Sequence, residues 1–132
     1  MIKYCLDSDV IIDFLHGEKA IVEKIKNLLE DSIPFITSIT LCELFRGAYL
    51  TKNPEIEIKK IDTLMDNMLA ATLDRESSKV FGRKNKELSD KGKQTEIPDL
   101  MIASICIAND LVLVTRNKKH FENILGLKFE VW

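Results

Sequence analysis

The stretch that decides the fold is IKYCLDSDVIIDFLHG, residues 2–17. Its first part, up to Leu6, favours β-structure and stops at Asp7-Ser8-Asp9, residue types that cap helices. The apolar residues that follow continue as a helix, and Gly17 is a typical helix stop. The stretch therefore predicts a strand, a turn and a short helix, with acidic side chains at the turn.

Similar units follow along the chain. Apolar residues at helical spacing from Glu18 predict a helix that ends before Pro34, and residues 35–37 favour a second strand. Thr40 and Glu43 match a capping box, which predicts a helix that opens there and runs to about Leu50. The remaining elements are, in order, a helix after Pro54, a weak strand at 71–73, a charged helix from the N-cap Asp74 to about Lys91, a helix from Ile97 to Ala108, a strand at 111–115 and a last strand at 129–132.

Strands that alternate with helices pair in parallel through right-handed crossovers, with helices on both faces of the sheet. We therefore expect an α/β protein with three layers, α/β/α, around a central parallel sheet of four to five strands. The chain has 132 residues, of which 45% are hydrophobic, enough for one ordinary core. We expect a single domain over residues 1–132.

Charge and cysteine content limit the function classes. The formal net charge is −2, so any contact with RNA requires a local basic patch. Cys5, Cys42 and Cys106 are widely spaced among apolar residues, which predicts reduced, buried thiols in a cytoplasmic protein. No segment approaches the ~20 apolar residues of a membrane span, and the run before Asp7 is too short for a signal peptide.

Acidic residues follow the predicted strands, where the functional crevice of a parallel sheet lies. Asp7 ends the first strand, Glu43 lies in the first turn of the helix after the second, and Asp99 opens the helix before the last clear strand. Helix N-termini favour carboxylates for structural reasons alone, and Glu43 would close a capping box with Thr40. Their apolar neighbours favour a shared site, because an unpaired charge there is costly.

A divalent cation would offset that cost. Mg²⁺ and Mn²⁺ bind carboxylate oxygens and water, and one or two such ions suit phosphodiester hydrolysis. We therefore expect Asp7, Glu43 and Asp99 to be catalytic residues and metal ligands. Hydroxyl groups at strand ends either hold such carboxylates or simply start the next turn, and they belong to Thr37, Ser38 and Thr115.

Four segments resemble, in their order and spacing, the motifs of the PIN-domain family, and specifically of VapC-type toxin ribonucleases. They are Tyr4-Cys5-Leu6-Asp7-Ser8-Asp9-Val10-Ile11-Ile12, Ile39-Thr40-Leu41-Cys42-Glu43-Leu44 with Arg46-Gly47, Ile97-Pro98-Asp99-Leu100-Met101-Ile102-Ala103, and Val114-Thr115-Arg116-Asn117 with His120-Phe121. The resemblance covers essentially the whole chain. It implies a PIN-like fold and an endoribonuclease that depends on Mg²⁺ or Mn²⁺.

The resemblance also implies specific residues and partners. The three acids named above match the family's metal ligands, and Asn117 stands where the family often has a fourth acid. As a neutral ligand, Asn117 leaves the second metal open. Asp9 or Glu96 would supply the missing charge, although Asp9 is equally expected as an acid at a helix start, and we favour a purely structural role for both. The family resemblance further implies a homodimer and a VapB-like antitoxin that wraps the toxin and blocks its active site.

Basic residues lie where they would flank this acidic centre and bind RNA phosphates. The run from 83 to 93 is equally well a solvated helix face. The expected RNA-binding residues are Arg83, Lys84, Lys86, Arg116 and Lys118, with Lys91, Lys93 and Lys119 in the same two basic runs.

Histidine and the apolar residues of the early helices have less specific interpretations. His16 and His120 have no partners at metal-ligand spacing, which argues against zinc and for surface or turn positions. A set of large apolar side chains either belongs to the core or forms a docking surface for an antitoxin or a second subunit. This set is Phe14, Leu15, Phe45, Tyr49 and Leu50.

Three other functions stay open from the sequence. Asp7-Ser8-Asp9 resembles the nucleophile motif of haloacid-dehalogenase-like phosphatases, with Asp7 as the nucleophile, and a receiver-like signalling domain also clusters acids. Both need a lysine after a later strand, where this chain has Arg116. A housekeeping RNA-processing PIN nuclease would use the same acids as a toxin, and a small antitoxin reading frame beside the gene distinguishes the two.

Overall fold

The computed structural model describes residues Met1 to Trp132 and contains a five-stranded sheet in which all neighbouring strands are parallel. The strands are β1 (Tyr4–Leu6), β2 (Phe35–Thr37), β3 (Leu69–Ala71), β4 (Val112–Thr115) and β5 (Lys128–Val131). Their order across the sheet is β3-β2-β1-β4-β5. The winding direction therefore changes between β1 and β4, which is the point where parallel sheets place their ligand crevice.

Helices cover both faces of the sheet, so the predicted three-layer α/β/α class is confirmed. One face is packed by the early helices and the other by the late ones. The early helices are α1 (Ser8–Leu15), α2 (Lys19–Asp31), α3 (Ser38–Tyr49) and α4 (Pro54–Met65), and the late ones are α5 (Arg75–Asp90), α6 (Ile97–Ala108) and α7 (Lys118–Phe121). No helix is both long and apolar enough to cross a membrane.

The side chains of the central strands β1 and β4 alternate between the two faces of the sheet and so contribute to both hydrophobic cores. Successive side chains of a strand point to opposite faces, so neighbouring residues enter different layers. Cys5 and Leu113 pack in the core beneath α5 to α7, whereas Leu6 and Val114 pack against α1 to α4. All four are at most 1% exposed. Because both faces are buried, β1 and β4 are apolar at almost every position.

The start of α3 differs from the prediction. The helix begins at Ser38, and its N-cap is Thr37, whose hydroxyl oxygen accepts a hydrogen bond from the Thr40 backbone N–H at 3.0 Å. There is no capping box between Thr40 and Glu43, and Glu43 lies in the second turn rather than the first. The strand β2 thus passes directly into the helix, with no turn between them.

Thr37→Val is expected to lower the free energy of unfolding by about 2 kcal/mol. Thr37 is fully buried, and valine would leave the buried Thr40 N–H without its acceptor. Urea unfolding of the variant, beside Thr72→Val at an exposed position, measures the loss. Equal stability of the two variants would contradict the assigned cap.

The third strand and one helix also differ from the sequence analysis. β3 occupies residues 69–71 rather than 71–73. Its position is set by pairing, because the Leu69 N–H donates to the Pro34 carbonyl at 2.9 Å and Leu69 lies opposite Phe35 on β2. The short α7 was not predicted, since four residues carry too little periodicity.

The three cysteines differ in burial, and so do the five large apolar residues of the early helices. Cys5 and Cys106 are buried as predicted, but Cys42 is exposed on α3, so the prediction of three buried thiols is wrong there. Phe14, Leu15 and Phe45 are half-buried against the core formed with α1 to α4. Tyr49 and Leu50, at the end of α3, are 67% and 74% exposed. Phe14, Leu15 and Phe45 therefore belong to the core, whereas Tyr49 and Leu50 lie at the surface.

Candidate active site

Asp7 lies at the carboxyl end of the central strand and is the N-cap of α1. It is 5% exposed. Its Oδ1 accepts a hydrogen bond from the Ser8 backbone N–H at 2.9 Å, and its Oδ2 accepts one from the Thr115 hydroxyl at 2.8 Å. Thr115 ends the neighbouring strand β4, so the pairing of β1 with β4 places the hydroxyl on the carboxylate. Thr115 therefore holds a carboxylate, the first of the two roles expected for it, rather than simply starting the next turn.

The surroundings of Asp7 disfavour its charge. Burial raises the pKa of Asp7 to about 7, and repulsion from Asp9 and, more weakly, Glu43 adds to this shift. The hydrogen bonds from Thr115 and Ser8 lower the pKa but do not compensate for the burial. With a pKa of about 7, this carboxyl group is only partly ionised at neutral pH, and a cation beside it would favour the charged form.

Asp9 joins this site, although the sequence analysis favoured a purely structural role for it. Its Oδ1 accepts the Val10 N–H at 2.7 Å, while its Oδ2 accepts the Arg116 backbone N–H at 2.9 Å. The second bond ties the start of α1 to the end of β4 across the crevice. Burial raises the pKa of Asp9, and repulsion from Asp13 adds to the shift, while the bonds from Arg116 and Val10 act against it.

Glu43 and Asp99 face the same region from α3 and α6. Burial raises the pKa of Glu43, and its charge is further disfavoured by Asp99 and by Asp9. Burial also raises the pKa of Asp99, with added repulsion from Glu96 and Asp9. Glu43 is nevertheless exposed, and the Asp99 side chain is 16% exposed. The apolar burial that the sequence suggested for all three acids therefore holds best for Asp7 and fails for Glu43.

His120, on α7, contacts the site directly. Its Nδ1 lies 3.1 Å from Asp99 Oδ2, and its side chain is 50% exposed. His120 lowers the pKa of Asp99 and so opposes the burial of that carboxyl group. Sequence reasoning expected only a surface or turn position for His120, because its partner lies 21 residues away, on a different helix.

The four acids interact electrostatically, but their side chains do not form a complete metal-binding site. Asp9 and Glu43 raise the pKa of Asp7, Asp99 and Asp9 raise the pKa of Glu43, and Asp9 raises the pKa of Asp99. No group of three or more His, Cys, Asp or Glu side chains is close enough to hold a metal ion. No Lys or Arg side chain forms an ion pair with any of the four. The only basic side chain paired with one of these acids is therefore that of His120, beside Asp99.

Asn117 has a different position from the one expected of a ligand. It is exposed at the N-cap position of α7, and its backbone N–H donates to the Thr115 hydroxyl oxygen at 3.1 Å. Its side chain makes no capping hydrogen bond. The contact that links Asn117 to the site is thus its backbone, through Thr115.

Several predicted RNA-binding cations have carboxylate partners. Lys84 is bound to Glu87 at 3.0 Å, and its side chain is only 11% exposed, so it does not offer a free charge at the surface. Lys86 pairs with Asp90 at 2.6 Å. Arg116 points to Asp13, with its Nη1 2.6 Å from Asp13 Oδ2. The predicted cations without an ion pair are Arg83 and Lys118, and Lys91, Lys93 and Lys119 of the same basic runs are also without one.

The architecture is that of a PIN domain. A family model described as PIN domain matches residues 4–125, and the chain belongs to this family. The tRNA(fMet)-specific endonuclease VapC of Shigella flexneri is 30% identical over 132 residues, covering 100% of this chain and 99% of that protein. Ribonuclease VapC1 of Haemophilus influenzae strain R2866 is 28% identical over 130 residues, covering 98% of this chain and 97% of that protein.

Solved structures give the same result. A chain in the crystal structure of DNA-bound VapBC from Salmonella typhimurium superposes with a TM-score of 0.90 at 30% identity, over 100% of this chain and 99% of that chain. The predicted resemblance to VapC-type ribonucleases of the PIN family is therefore confirmed, and the endoribonuclease class with it.

Proposed function

We propose that this chain is the toxin of a VapBC-type pair, an endoribonuclease that cuts RNA in the cytoplasm at the crevice of Asp7, Glu43 and Asp99. Asp9 joins these acids in the proposal. The observation that carries it is the set of four carboxyl groups with raised pKa values at the point where the sheet changes winding direction. Burial and repulsion of acids are unfavourable for folding, so such a set is typical of a functional site.

The crevice fits a hard divalent cation. Its donors are carboxylate oxygens, no Lys or Arg side chain pairs with them, and a bound cation would lower the raised pKa of Asp7. Mg²⁺ keeps several waters and binds proteins through one or two carboxylates, so it does not need three protein ligands at once. We assign Asp7, Glu43 and Asp99 as the residues that would hold Mg²⁺ or Mn²⁺, with Asp9 in place of Asn117 as the further acid. When bound, such an ion activates water and stabilises charge on the phosphodiester.

The remaining residues of the crevice position these acids. Thr115 and the Ser8 N–H orient the two oxygens of Asp7, and the Arg116 N–H orients Asp9. His120 holds Asp99 from the side of α7. For Asp7 and Asp9, the contacts come from backbone N–H groups and one hydroxyl group, which restrict the carboxylates without neutralising them.

Positive charge around the crevice supports RNA as the substrate. Lys118 and Lys119 are exposed, carry no carboxylate partner and follow β4 directly. Arg83 on α5 is likewise free to meet phosphates. We leave Lys84, Lys86 and Arg116 out of the substrate contacts because they are bound to carboxylates of this chain.

An apolar groove beside α1, α2 and α4, on the face of the sheet opposite α5 to α7, supports an antitoxin as a partner. It has a volume of about 690 Å³ and includes Phe14, Leu15, Leu29, Ile56 and Leu64. Lys59 and Lys60 line the same groove, which favours an amphipathic segment with acidic residues. The exposed Tyr49 and Leu50 are our candidates for the contact between two copies of the chain in a homodimer.

The two other reaction classes fit the crevice poorly. A phosphatase nucleophile needs a free, approachable oxygen, whereas both oxygens of Asp7 accept hydrogen bonds and the residue is buried. A receiver-like domain needs a cation directed at the acids from the end of β4. The Arg116 guanidinium, which stands there, is turned to Asp13 and Glu18.

Asp99→Asn is expected to reduce RNA cleavage by about 100-fold, and EDTA is expected to abolish cleavage by the wild-type protein. The measurement is cleavage of a labelled RNA pool that includes initiator tRNA, with Mg²⁺, Mn²⁺ or EDTA. Asp62→Asn, which removes one exposed carboxylate of α4, is the matched control and should cut at the wild-type rate. Cleavage that survives both EDTA and the Asp99 substitution would overturn the proposed site.

A further inference from the structure

A polar groove leaves the crevice at Asp99 and crosses the loop between α5 and α6. Its first cavity, of about 350 Å³, is lined by residues 94–97, Asp99, Lys119 and His120. A second cavity, of about 370 Å³, continues over Gln94 and Thr95 to Asn85 and Lys93 at the end of α5. Each cavity is within the range of about 300–1,000 Å³ that small-molecule sites occupy. The groove therefore has room for more than one nucleotide.

We propose that this groove binds the single-stranded RNA segment next to the scissile phosphate, with Lys119 and Lys93 on phosphates and Gln94 and Asn85 on base edges. The inference rests on the proposed function, because Asp99 belongs both to the acidic crevice and to the first cavity. A strand lying in the groove would enter the crevice at Asp99. The groove would then select the RNA sequence at the cut.

The lining has the chemistry that unpaired nucleotides require. Lys93 and Lys119 are exposed and have no carboxylate partner, so their charges are available to phosphates. The side-chain amides of Gln94 and Asn85 each offer a donor and an acceptor, which is what the edges of unstacked bases present. The half-exposed ring of His120 offers a flat surface for stacking.

The same lining disfavours a protein segment as the occupant. Ile97 is the only hydrophobic residue of the first cavity, and Leu88 is the only further one in the second. The apolar groove at Phe14 and Leu15, by contrast, is lined mainly by hydrophobic side chains. The polar groove thus lies beside α5, α6 and α7, whereas the apolar groove lies beside α1, α2 and α4.

The test compares Lys119→Ala and Gln94→Ala with the controls Lys26→Ala and Asn27→Ala, two exposed positions on α2. Cleavage of a short single-stranded RNA that carries the mapped cut site gives KM and kcat. We expect both groove variants to raise KM by about 5- to 10-fold with little change in kcat. Lys119→Ala should also reduce the slope of log affinity against log salt by about 0.7, whereas Gln94→Ala should leave the slope unchanged.

A second measurement does not depend on cleavage. RNA labelled with 4-thiouridine is cross-linked to the Asp7→Asn protein, and the attached peptides are identified by mass spectrometry. Cross-links at residues 93–97 and 119–120 are the expected result. Cross-links confined to other surfaces, or wild-type KM values in both groove variants, overturn the groove while leaving the nuclease intact.

The remaining outcomes are also decisive. If the groove variants cut normally but bind a co-expressed antitoxin more weakly, the groove is a protein-binding surface and the proposal is wrong. If the wild-type protein neither cuts nor cross-links to RNA, the proposed function fails, and the groove proposal fails with it.

Discussion

Asp7→Asn is expected to lower kcat/KM for RNA cleavage by about 1,000-fold, or ~4 kcal/mol of transition-state stabilisation. Asp7 is the most buried of the four acids and lies at the end of the central strand. Asparagine keeps its size but removes the charge, which weakens the binding of a cation and the activation of water together. The effect should therefore exceed that of Asp99→Asn.

The variant should fold, because its hydrogen bonds can be rearranged within the same space. The amide oxygen of asparagine can accept the Ser8 N–H, and its NH₂ group can donate to the Thr115 hydroxyl oxygen. The Thr115 hydroxyl can then turn to Asp9 Oδ2, which lies 3.5 Å away. Circular dichroism and thermal unfolding beside Asp62→Asn establish that the fold is retained. A folded Asp7→Asn protein that cuts RNA at the wild-type rate would refute the assignment of this residue.

The metal-free protein is expected to lose stability as the pH rises from about 4 to about 7. Asp7 has a pKa of about 7 in the folded chain and an ordinary value of 3.8, so the folded state binds the proton more tightly than the unfolded state. The stabilisation is fully present below the ordinary pKa and is lost as the pH passes through the folded one. At ~1.4 kcal/mol for each pKa unit, the loss is on the order of 4 kcal/mol. The raised pKa values of Asp9, Glu43 and Asp99 act in the same direction.

Urea unfolding at a series of pH values in EDTA measures this loss. Asp7→Asn should flatten the profile and be more stable than the wild-type protein above about pH 7, because it has no proton to release. Mg²⁺ should restore stability to the wild-type protein at the same pH and have less effect on the variant. Parallel pH profiles for the two proteins would show that Asp7 ionises normally in the fold.

The class of fold was predictable because its signals are local. Short apolar runs followed by capping residues mark β1, β2 and β4, and periodic apolar residues mark the helices between them. The two boundary errors have different causes. Leu69 is assigned to a strand because Phe35 lies opposite it, a tertiary pairing that is not visible in the sequence. The helix α3 starts at Ser38 because Thr37 caps the Thr40 N–H, a local contact that competed with the capping-box pattern of Thr40 and Glu43.

The site residues stay a prediction. Asp7, Glu43 and Asp99 were chosen from their positions after strands, and repulsion couples Asp7 to Glu43 and Glu43 to Asp99 in the folded chain. Asp9 was set aside because a first-turn acid is common in helices, yet its second oxygen binds the Arg116 N–H. Among the basic residues, Lys84 pairs with Glu87 at the helical spacing of three residues, whereas Asp13, the partner of Arg116, is distant in the sequence.

The sequence by itself determined the α/β class and the family and predicted the three principal acids. Strand ends and helix starts can be recognised from residues that are adjacent in the sequence. The tertiary structure decided which of those acids are buried and which other groups join them. Thr115 meets Asp7 only because β4 pairs with β1, and His120 meets Asp99 only because α7 lies beside the start of α6. The charge of a buried carboxylate depends on groups that are distant in sequence and adjacent in space, and folding alone brings these groups together.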